Sequence, residues 1–326
     1  MAGISDHPSN DTRSGLDSLM LLAFIVLIFL GGSNAVAVRF SNLELPPFWG
    51  AAARFIGAAI IFWAILLIRR IPLPAGRALV GCLVYGALSI GAAYAFIYWS
   101  MLKIQASLAM IILSLGPLLT LLFATAHRLE RFRWRGLAGA LIALAGITLA
   151  VAQDLGTSIP MPSLLALMFG AACTAEASVL YKLFPRSDPL ATNAIATTEG
   201  ALILILVSLI AGESWSLPNA SATWAAFSYL VLIGSVVLFY LYLFILSRWT
   251  ATATSYSFLL FPVATVIISA WLTDETITLR FTAGGLVVLI GVWIGALRQP
   301  RVAPDEQEPQ QGIAVEPAAP PSPGCA

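Results

Sequence analysis

Charged residues are scarce in this sequence: Asp, Glu, Lys and Arg make up 10 % of the 326 residues, whereas hydrophobic residues make up 59 %. A soluble domain carries roughly 25 % charged residues and about 45–50 % apolar ones. Water does not solvate a surface so poor in charge, and one core does not bury so much apolar chain. A lipid bilayer is the solvent that fits. The formal net charge of +1 indicates neither nucleic acid nor an acidic partner.

Chemically reactive side chains are also few. The sequence contains two histidines, and its cysteines Cys82, Cys173 and Cys325 have neither a disulfide-framework nor a zinc-site spacing. A Gly-rich P-loop followed by Lys-Ser/Thr is absent, which excludes an ATP motor on this chain. Gly-x-Ser-x-Gly is absent as well. The sequence therefore predicts a protein that is not an enzyme and that needs no cofactor and no metal.

The two ends of the chain are polar. Residues 1–17 contain several charged side chains, and the apolar run that follows is too long for a cleavable signal peptide. Residues 299–326 are rich in Pro, Gln and Glu, a composition that buries too little apolar surface to order itself. We expect both segments to be disordered and the first apolar run to be an uncleaved helix.

Between these ends lie stretches of about 20 mainly apolar residues, the length that crosses the hydrocarbon core of a bilayer as a helix. They are continuous rather than alternating, which favours helices over a β-barrel. The sequence thus predicts an all-α integral membrane protein of ten transmembrane helices. The predicted helices cover roughly 19–38, 48–68, 77–99, 105–126, 135–153, 161–181, 190–211, 224–246, 251–272 and 281–297.

The distribution of Lys and Arg predicts the orientation, because cytoplasmic loops carry an excess of both. Numbered from a cytoplasmic N-terminus, the cytoplasmic side holds 13 of the 17 basic residues. They are Arg13, Arg69, Arg70, Arg77, Arg128, Arg131, Arg133, Arg135, Lys182, Arg186, Arg248, Arg298 and Arg301. Both termini are therefore expected in the cytoplasm, and the basic loop His127–Arg133 is interpreted as a topology signal that can also contact anionic lipid.

An internal repeat divides the chain. Shifted by 145 residues, Pro117, Glu130, Arg135, Gly139 and Gly146 meet Pro262, Glu275, Arg280, Gly284 and Gly291. The repeat predicts two five-helix units, residues 18–154 and residues 160–298. Because five is odd, the second unit must enter the membrane upside down relative to the first. Inverted repeats are a recurring plan of transporters, with the solute site near mid-membrane between the halves.

The repeated pattern is a helix with a central proline, then a Glu in the next loop, then a Gly-rich helix. This pattern resembles the EamA domain of the drug/metabolite transporter superfamily. Gly31-Gly32-Ser33-Asn34 and Arg54-Phe55 resemble the opening of the family's first repeat, whereas the second repeat has Ala196 in place of the Arg. The resemblance implies two inverted five-helix units around a central cavity lined by helices 1, 3, 4, 6, 8 and 9. It also implies substrates such as amino acids, other metabolites and toxic compounds, and export in many members.

Three ionisable residues fall inside predicted helices, where a charge is costly and usually faces protein or water. They are Arg54, Glu176 and Glu199. Their functional interpretation is solute binding, or proton coupling through a carboxyl group such as Glu176. The structural alternative is pairing between helices, for example Arg54 with Glu199. An offset of 142 residues sets Asn34 opposite Glu176.

Polar and aromatic side chains complete the candidate solute site. The Asn34 amide can bind carboxylate or amine groups, or alternatively form an interhelical hydrogen bond. Tyr94 and Tyr98 share a helix face and can stack on an organic solute, although Tyr98 and Trp99 also suit an interfacial aromatic belt. In the second half, Tyr240 and Tyr256 are the corresponding candidates.

Pro117 and Pro262 break the backbone hydrogen bonds of two repeat-related helices. We interpret them as kinks that gate the cavity; the alternative is that they only shape packing.

The leading functional prediction is a secondary transporter, expected to export a neutral, zwitterionic or amphipathic small-molecule solute by alternating access in the inner or plasma membrane. The energy source is left open between the solute gradient, protons and exchange. A membrane-embedded lipid-modifying enzyme and a structural membrane protein without transport are the alternatives. The solute, the direction and the oligomeric state also stay open.

Overall fold

The computed structural model of the protein describes residues 10–103, 109, 112–151, 160–273 and 279–297. Throughout these ranges the regular secondary structure is helical, and no strand occurs in them. The tail from 299 onward and Glu275 of the repeat lie outside the described residues. The helices are α1 Asn10–Ser41, α2 Pro47–Arg69, α3 Arg77–Met101, α4 Gly116–Ala126, α5 Trp134–Val151, α6 Met161–Leu183, α7 Pro189–Ile210, α8 Ser221–Leu246, α9 Ser257–Thr273 and α10 Leu279–Val292.

Six of these helices are long and apolar enough to cross a bilayer: α1, α2, α3, α6, α7 and α8. Shorter apolar helices cover Gly116–Ala126, Trp134–Leu149 and Thr282–Gly295. The prediction of a multi-pass, all-helical membrane protein is confirmed at this level. α1 begins at Asn10, inside the stretch predicted to be disordered, rather than near residue 19.

Local sequence explains where several helices begin and end. Pro47 and Pro189 occupy the first turns of α2 and α7, where a missing N–H costs nothing and the fixed φ suits the helix. The Asp188 side chain caps α7 by accepting a hydrogen bond from the Leu190 N–H. α2 ends at Arg69, and the next residue, Arg70, adopts a left-handed conformation with φ of 52°.

The glycines of the repeat bring α5 and α10 together. A Cβ added to Gly139 would lie 2.6 Å from the carbonyl oxygen of Gly291, and one added to Gly146 would lie 2.7 Å from that of Gly284. The two backbones therefore touch where only hydrogen fits. Because the earlier glycine of α5 faces the later glycine of α10, the two helices run in opposite directions. Such small-residue contacts are how helices associate in lipid.

α2 and α7 form a second pair across the repeat. Ala58, Phe62 and Leu66 of α2 pack in one buried cluster with Ala191 and Ala194 of α7. Trp63 packs against this cluster, and its indole N–H donates to the Thr198 hydroxyl over 2.9 Å. These contacts again match the end of one helix with the beginning of the other, so α2 and α7 also run in opposite directions.

α3 and α8 share an irregularity. Each contains one π-helical segment, Ala87–Ala92 in α3 and Leu232–Val237 in α8. The two segments are 145 residues apart, the offset of the sequence repeat. A π segment places one more residue in a turn than an α-helix, and such bulges occur frequently at functional sites.

The bundle has two distinguishable ends. We call the end where α2, α6 and α8 finish the basic end, because Arg69, Lys182 and Arg248 lie there. At the opposite end, two carboxylates cap helices of the other half. Glu213, which follows α7, accepts hydrogen bonds from the backbone N–H groups of Phe48 (3.1 Å) and Trp49 (2.7 Å) at the start of α2.

The second of these caps is Glu44, which follows α1. Its carboxylate accepts hydrogen bonds from the backbone N–H groups of Asn219 (2.8 Å) and Ala220 (3.2 Å), immediately before α8. These backbone donors hold the pKa of the exposed Glu44 carboxyl below its ordinary value.

Replacing Gly291 by Ala tests the contact between α5 and α10. The added Cβ would lie 2.6 Å from the Ala143 nitrogen and the Gly139 oxygen. Since backbone atoms do not rotate away, we expect a loss of about 1–3 kcal/mol in the free energy of unfolding, measured by thermal or denaturant unfolding in detergent. Gly285→Ala in the same helix is the matched control, because its Cβ meets only one atom, at 4.0 Å. Equal stability of the two variants would contradict this packing.

Glu44→Gln tests the cap on α8. Because the folded-state pKa is lowered, the ionised cap contributes stability above the unfolded-state pKa of about 4.3, and this stability is lost as pH falls through the folded-state value. We expect the unfolding temperature of the native protein to exceed that of Glu44→Gln at neutral pH, and the difference to shrink on acidification to about pH 3. A difference that stays constant over this range would rule out the ionised cap.

Candidate functional site

The candidate site is built around Arg54, which is 1 % exposed inside the bundle. Its Nε donates to the Ser235 hydroxyl over 3.1 Å, and its Nη2 donates to the Gly234 carbonyl over 3.2 Å. Both partners belong to the π segment of α8, so a cation from the first half is held by the second half. We call the group Asn34, Arg54, Tyr94, Tyr98 and Ser235 the polar seam.

Gly234 lets α1 approach the same segment of α8. A Cβ at this position would collide with the Asn34 Oδ1 atom, so the absence of a side chain is what admits the amide. The Asn34 Oδ1 is buried and has no hydrogen-bond partner among the described residues. The Nη1 of Arg54 is likewise buried without a partner there. Two atoms beside Gly234 therefore have unused hydrogen-bonding capacity. They are the acceptor Oδ1 of Asn34, from α1, and the donor Nη1 of Arg54, from α2.

Aromatic rings form one wall of the polar seam. The Tyr94 ring lies 5.5 Å from the Arg54 Cζ, within cation–π distance. It meets the Phe55 ring edge-on, with centroids 4.8 Å apart, and stacks on the Tyr98 ring at 5.9 Å. The aromatic faces thus surround the guanidinium without neutralising its charge.

The two aromatic residues at the end of α3 have different environments. Tyr98 is 6 % exposed and stacked on Tyr94, which favours the interior interpretation over the aromatic belt. Trp99 is 42 % exposed, as expected of a belt residue.

Glu199 does not pair with Arg54. Its carboxylate lies instead beside Gly86, where an added Cβ would be 2.9 Å from Oε2, and it interacts with the backbone of Ala87. Ala87 begins the π segment of α3. Arg54 and Glu199 therefore contact the two related π segments, each in the opposite half of the chain, and the alternative of a direct ion pair between them is not observed.

Glu176 lies apart from the polar seam. Its Oε1 is 2.7 Å from the Nε2 of His127, which immediately follows α4. Glu176 is seven residues before the end of α6, so this pair joins the two halves near the basic end. Its Oε2 is buried without a hydrogen-bond partner in the described part of the chain. The structure therefore does not bring Glu176 together with Asn34, although the 142-residue offset aligns the two residues in the repeat.

The two tyrosines predicted from the second half are also separate. Tyr240 packs against Phe244, with ring centroids 6.0 Å apart, and lines a cavity at the basic end. Tyr256 is fully buried, and its hydroxyl donates to the Gly136 carbonyl over 2.7 Å. Its place between α9 and α5 is that of a packing residue.

The two repeat-related prolines differ in their surroundings. Pro117 occupies the first turn of α4, after the turn residues Ser114 and Leu115, whereas Pro262 lies inside α9. Pro117 therefore marks a helix start and Pro262 an interrupted helical ladder.

Helix 8 was expected in the cavity lining, but sequence reasoning missed the residues that α8 supplies to the polar seam. Besides Ser235, the Tyr229 hydroxyl lies 2.5 Å from the Ser33 hydroxyl. Ser33 precedes Asn34 in the Gly-Gly-Ser-Asn segment, which was a usable signal. Tyr229 and Ser235 carry no pattern of their own in the sequence. Among the described residues, no group of three His, Cys, Asp or Glu side chains has an arrangement that suits a metal ion.

Comparison with known proteins identifies the class. The profile of the EamA-like transporter family matches residues 18–152 and again residues 161–296. The chain belongs to this family, which confirms the resemblance found in its sequence. The protein is thus a multi-pass membrane protein with a tandem EamA repeat.

Individual relatives agree with this assignment. "Uncharacterized inner membrane transporter YedA" of Escherichia coli K12 is 26 % identical over 277 residues, covering 83 % of this chain and 89 % of its own. "Uncharacterized transporter YyaM" of Bacillus subtilis is 28 % identical over 301 residues, covering 89 % and 97 %. One solved crystal structure superposes with a TM-score of 0.72 at 20 % identity, covering 86 % of this chain and 97 % of its own, a likeness of fold alone.

Proposed function

We propose that the protein is a secondary transporter of the inner membrane that exports a small zwitterionic solute, such as an amino acid, by alternating access between its two halves. Family membership and the names of the relatives support transport as the class of function. The observation that carries the proposal is the polar seam, where Arg54 and Asn34 meet the π segment of α8 with one donor and one acceptor unused.

The chemistry of these two groups indicates the class of solute. Arg54 Nη1 is a permanently charged donor that suits a carboxylate, and hydrogen bonds to charged groups are the stronger ones. Asn34 Oδ1 is an acceptor that suits an ammonium group. The Tyr94 ring beside them suits an apolar or cationic side chain. An α-amino acid carries all three features within a few ångströms.

Alternating access rests on ten helices in two inverted units, residues 18–154 and 160–298. The opposite directions of α5 and α10, and of α2 and α7, support inversion, since each pair joins equivalent helices of the repeat. The common offset of the two π segments supports it as well. The basic end is then cytoplasmic, and both termini lie on that side.

The conformational change must expose the polar seam, because Asn34 Oδ1 and Arg54 Nη1 are both buried. Pro262, inside α9, and Pro117, at the start of α4, are the proposed gating positions. The pair His127–Glu176 joins α4 to α6 near the basic end, so opening on that side requires the pair to separate. Protonation of Glu176 weakens the pair, which is how a proton gradient would drive the cycle.

Arg54→Gln tests the role of the polar seam in solute binding. The native protein in proteoliposomes is expected to show saturable flux of at least one amino acid chosen by a thermal-shift screen. In Arg54→Gln we expect the half-saturation concentration to rise about 10- to 100-fold, since a hydrogen bond to a charged group contributes about 1.5–3 kcal/mol.

Arg77→Gln is the matched control, because it removes one exposed Arg at the basic end and should leave flux unchanged. Thermal unfolding of both variants separates binding from folding. Saturable flux that is identical in Arg54→Gln and the native protein would refute the proposed site.

Glu176→Gln tests proton coupling. We expect this variant to lose the dependence of flux on an imposed pH gradient, because the amide does not titrate, while flux driven by the solute gradient persists. The assay is flux in proteoliposomes with and without the gradient. Glu44→Gln removes a carboxylate at the opposite end of the bundle and should respond to the gradient as the native protein does. An unaltered pH response in Glu176→Gln would exclude the proton role of this residue.

A further inference from the structure

A cavity of about 500 Å³ lies at the basic end, among the ends of α2, α6 and α8 and the beginning of α7. Four of its lining residues are basic, Arg69, Lys182, Arg186 and Arg248, and one is acidic, Asp188. This volume falls within the usual range of ligand sites, about 300–1,000 Å³. No residue of the polar seam lines this cavity, and Tyr240 is the lining residue that lies deepest in α8.

The positive charge in this cavity exceeds the negative charge, because the lining holds four basic residues and one carboxylate, Asp188, and Glu130 adds one further negative charge near Lys182. No carboxylate of the described residues lies within ion-pair distance of Arg69, Lys182 or Arg248. Arg248 donates instead to the Phe244 carbonyl over 3.1 Å, and its Cζ lies 3.8 Å from the centre of the Phe244 ring. Asp188 caps α7 through the Leu190 N–H, so its negative charge already interacts with a helix N-terminus.

Convergent cations with hydroxyl groups are the chemistry that binds phosphate. Lys acts as a point charge and Arg presents a planar fork of donors, and together they suit a group with several anionic oxygens. Ser187, Ser247 and Tyr181 add hydroxyl groups to the same lining. A neutral or purely cationic ligand would leave this charge uncompensated.

The depth of the cavity favours a phosphate that belongs to a lipid. Arg69 is the last residue of α2, and Lys182 is the penultimate residue of α6. Beside Arg69, Leu67 is 75 % exposed and Ile68 is 81 % exposed, which suits contact with acyl chains. The cations therefore lie at the level of phospholipid headgroups, where basic pockets between helices bind anionic ones.

We propose that this cavity binds the phosphate of an anionic phospholipid headgroup from the leaflet at the basic end. In this site Arg69, Lys182 and Arg248 hold a phosphate ester. A soluble phosphate compound could offer the same group, so the experiment distinguishes the two sources. The site is independent of transport and of the identity of the solute.

The double variant Arg69→Gln/Lys182→Gln tests this site in purified, delipidated protein. The apparent dissociation constant for phosphatidylglycerol is obtained from the rise in unfolding temperature with its mole fraction in mixed micelles, with phosphatidylcholine as the neutral lipid. We expect the native protein to be stabilised by phosphatidylglycerol only. Each cation near the surface contributes about fivefold in affinity, so the double variant should bind roughly 30-fold more weakly.

Arg77→Gln/Arg135→Gln is the matched control, since it removes the same charge from the same end at exposed residues outside the cavity lining. The control should retain native affinity, and an equal loss would refute a localised site. Inorganic phosphate and glycerol 3-phosphate form a further arm. If either soluble compound stabilises the native protein as much as phosphatidylglycerol does, the ligand is not specifically a lipid and the assignment is overturned. Arg69→Gln alone, at an exposed helix end, keeps the test decisive should the double variant fail to fold.

Discussion

The structure depends on one constraint: in a bilayer, helices gain nothing from hiding apolar surface from each other, so they must associate through close packing and hydrogen bonds between helices. The glycines of α5 and α10 satisfy this constraint directly, since Gly139 faces Gly291 and Gly146 faces Gly284 with no room for a Cβ. The same pair of helices lies far along the chain from each other, so their contact joins the two halves of the repeat. Other polar and aromatic contacts between the halves are added to this close backbone contact.

The beginnings of the helices impose a second requirement, because the first backbone N–H groups of a helix have no partner within it. The chain meets it with carboxylates that cap helices of the opposite half. Glu44 and Glu213 do so at one end of the bundle, and Glu130 accepts from the Thr252 N–H over 3.2 Å at the other. In Glu130 the repeated Glu of the sequence pattern acquires a physical role: it holds the start of the helical segment that leads into α9.

Sequence patterns predicted the helices well because proline-marked ends bound the apolar runs. α2, α3, α6 and α7 begin within one residue of the predicted positions. The prediction was weaker for the site, since hydropathy fixes the depth of a residue but not the direction it faces. The group formed by Asn34, Arg54, Tyr94 and Tyr98 was anticipated as separate candidates, whereas its α8 partners were not.

The placement of Tyr240 shows how a difference of one position changes the face of a helix. At the 145-residue offset Tyr94 aligns with Phe239, whose ring packs against Tyr94 and Phe55. Tyr240 is the next residue, about 100° further round α8, and therefore has different neighbours. The contact of His127 with Glu176 had no sequence signal, because it joins residues from two helices through tertiary packing.

The two π segments also have a historical consequence. An additional residue at the same place in α3 and α8 is most simply inherited from one ancestral gene, which already carried it before duplication and fusion. Under the proposed inversion, a single five-helix ancestor would have paired with a second copy of itself in the opposite orientation. In the fused chain, the excess of arginines at one end would then set a single orientation for both halves.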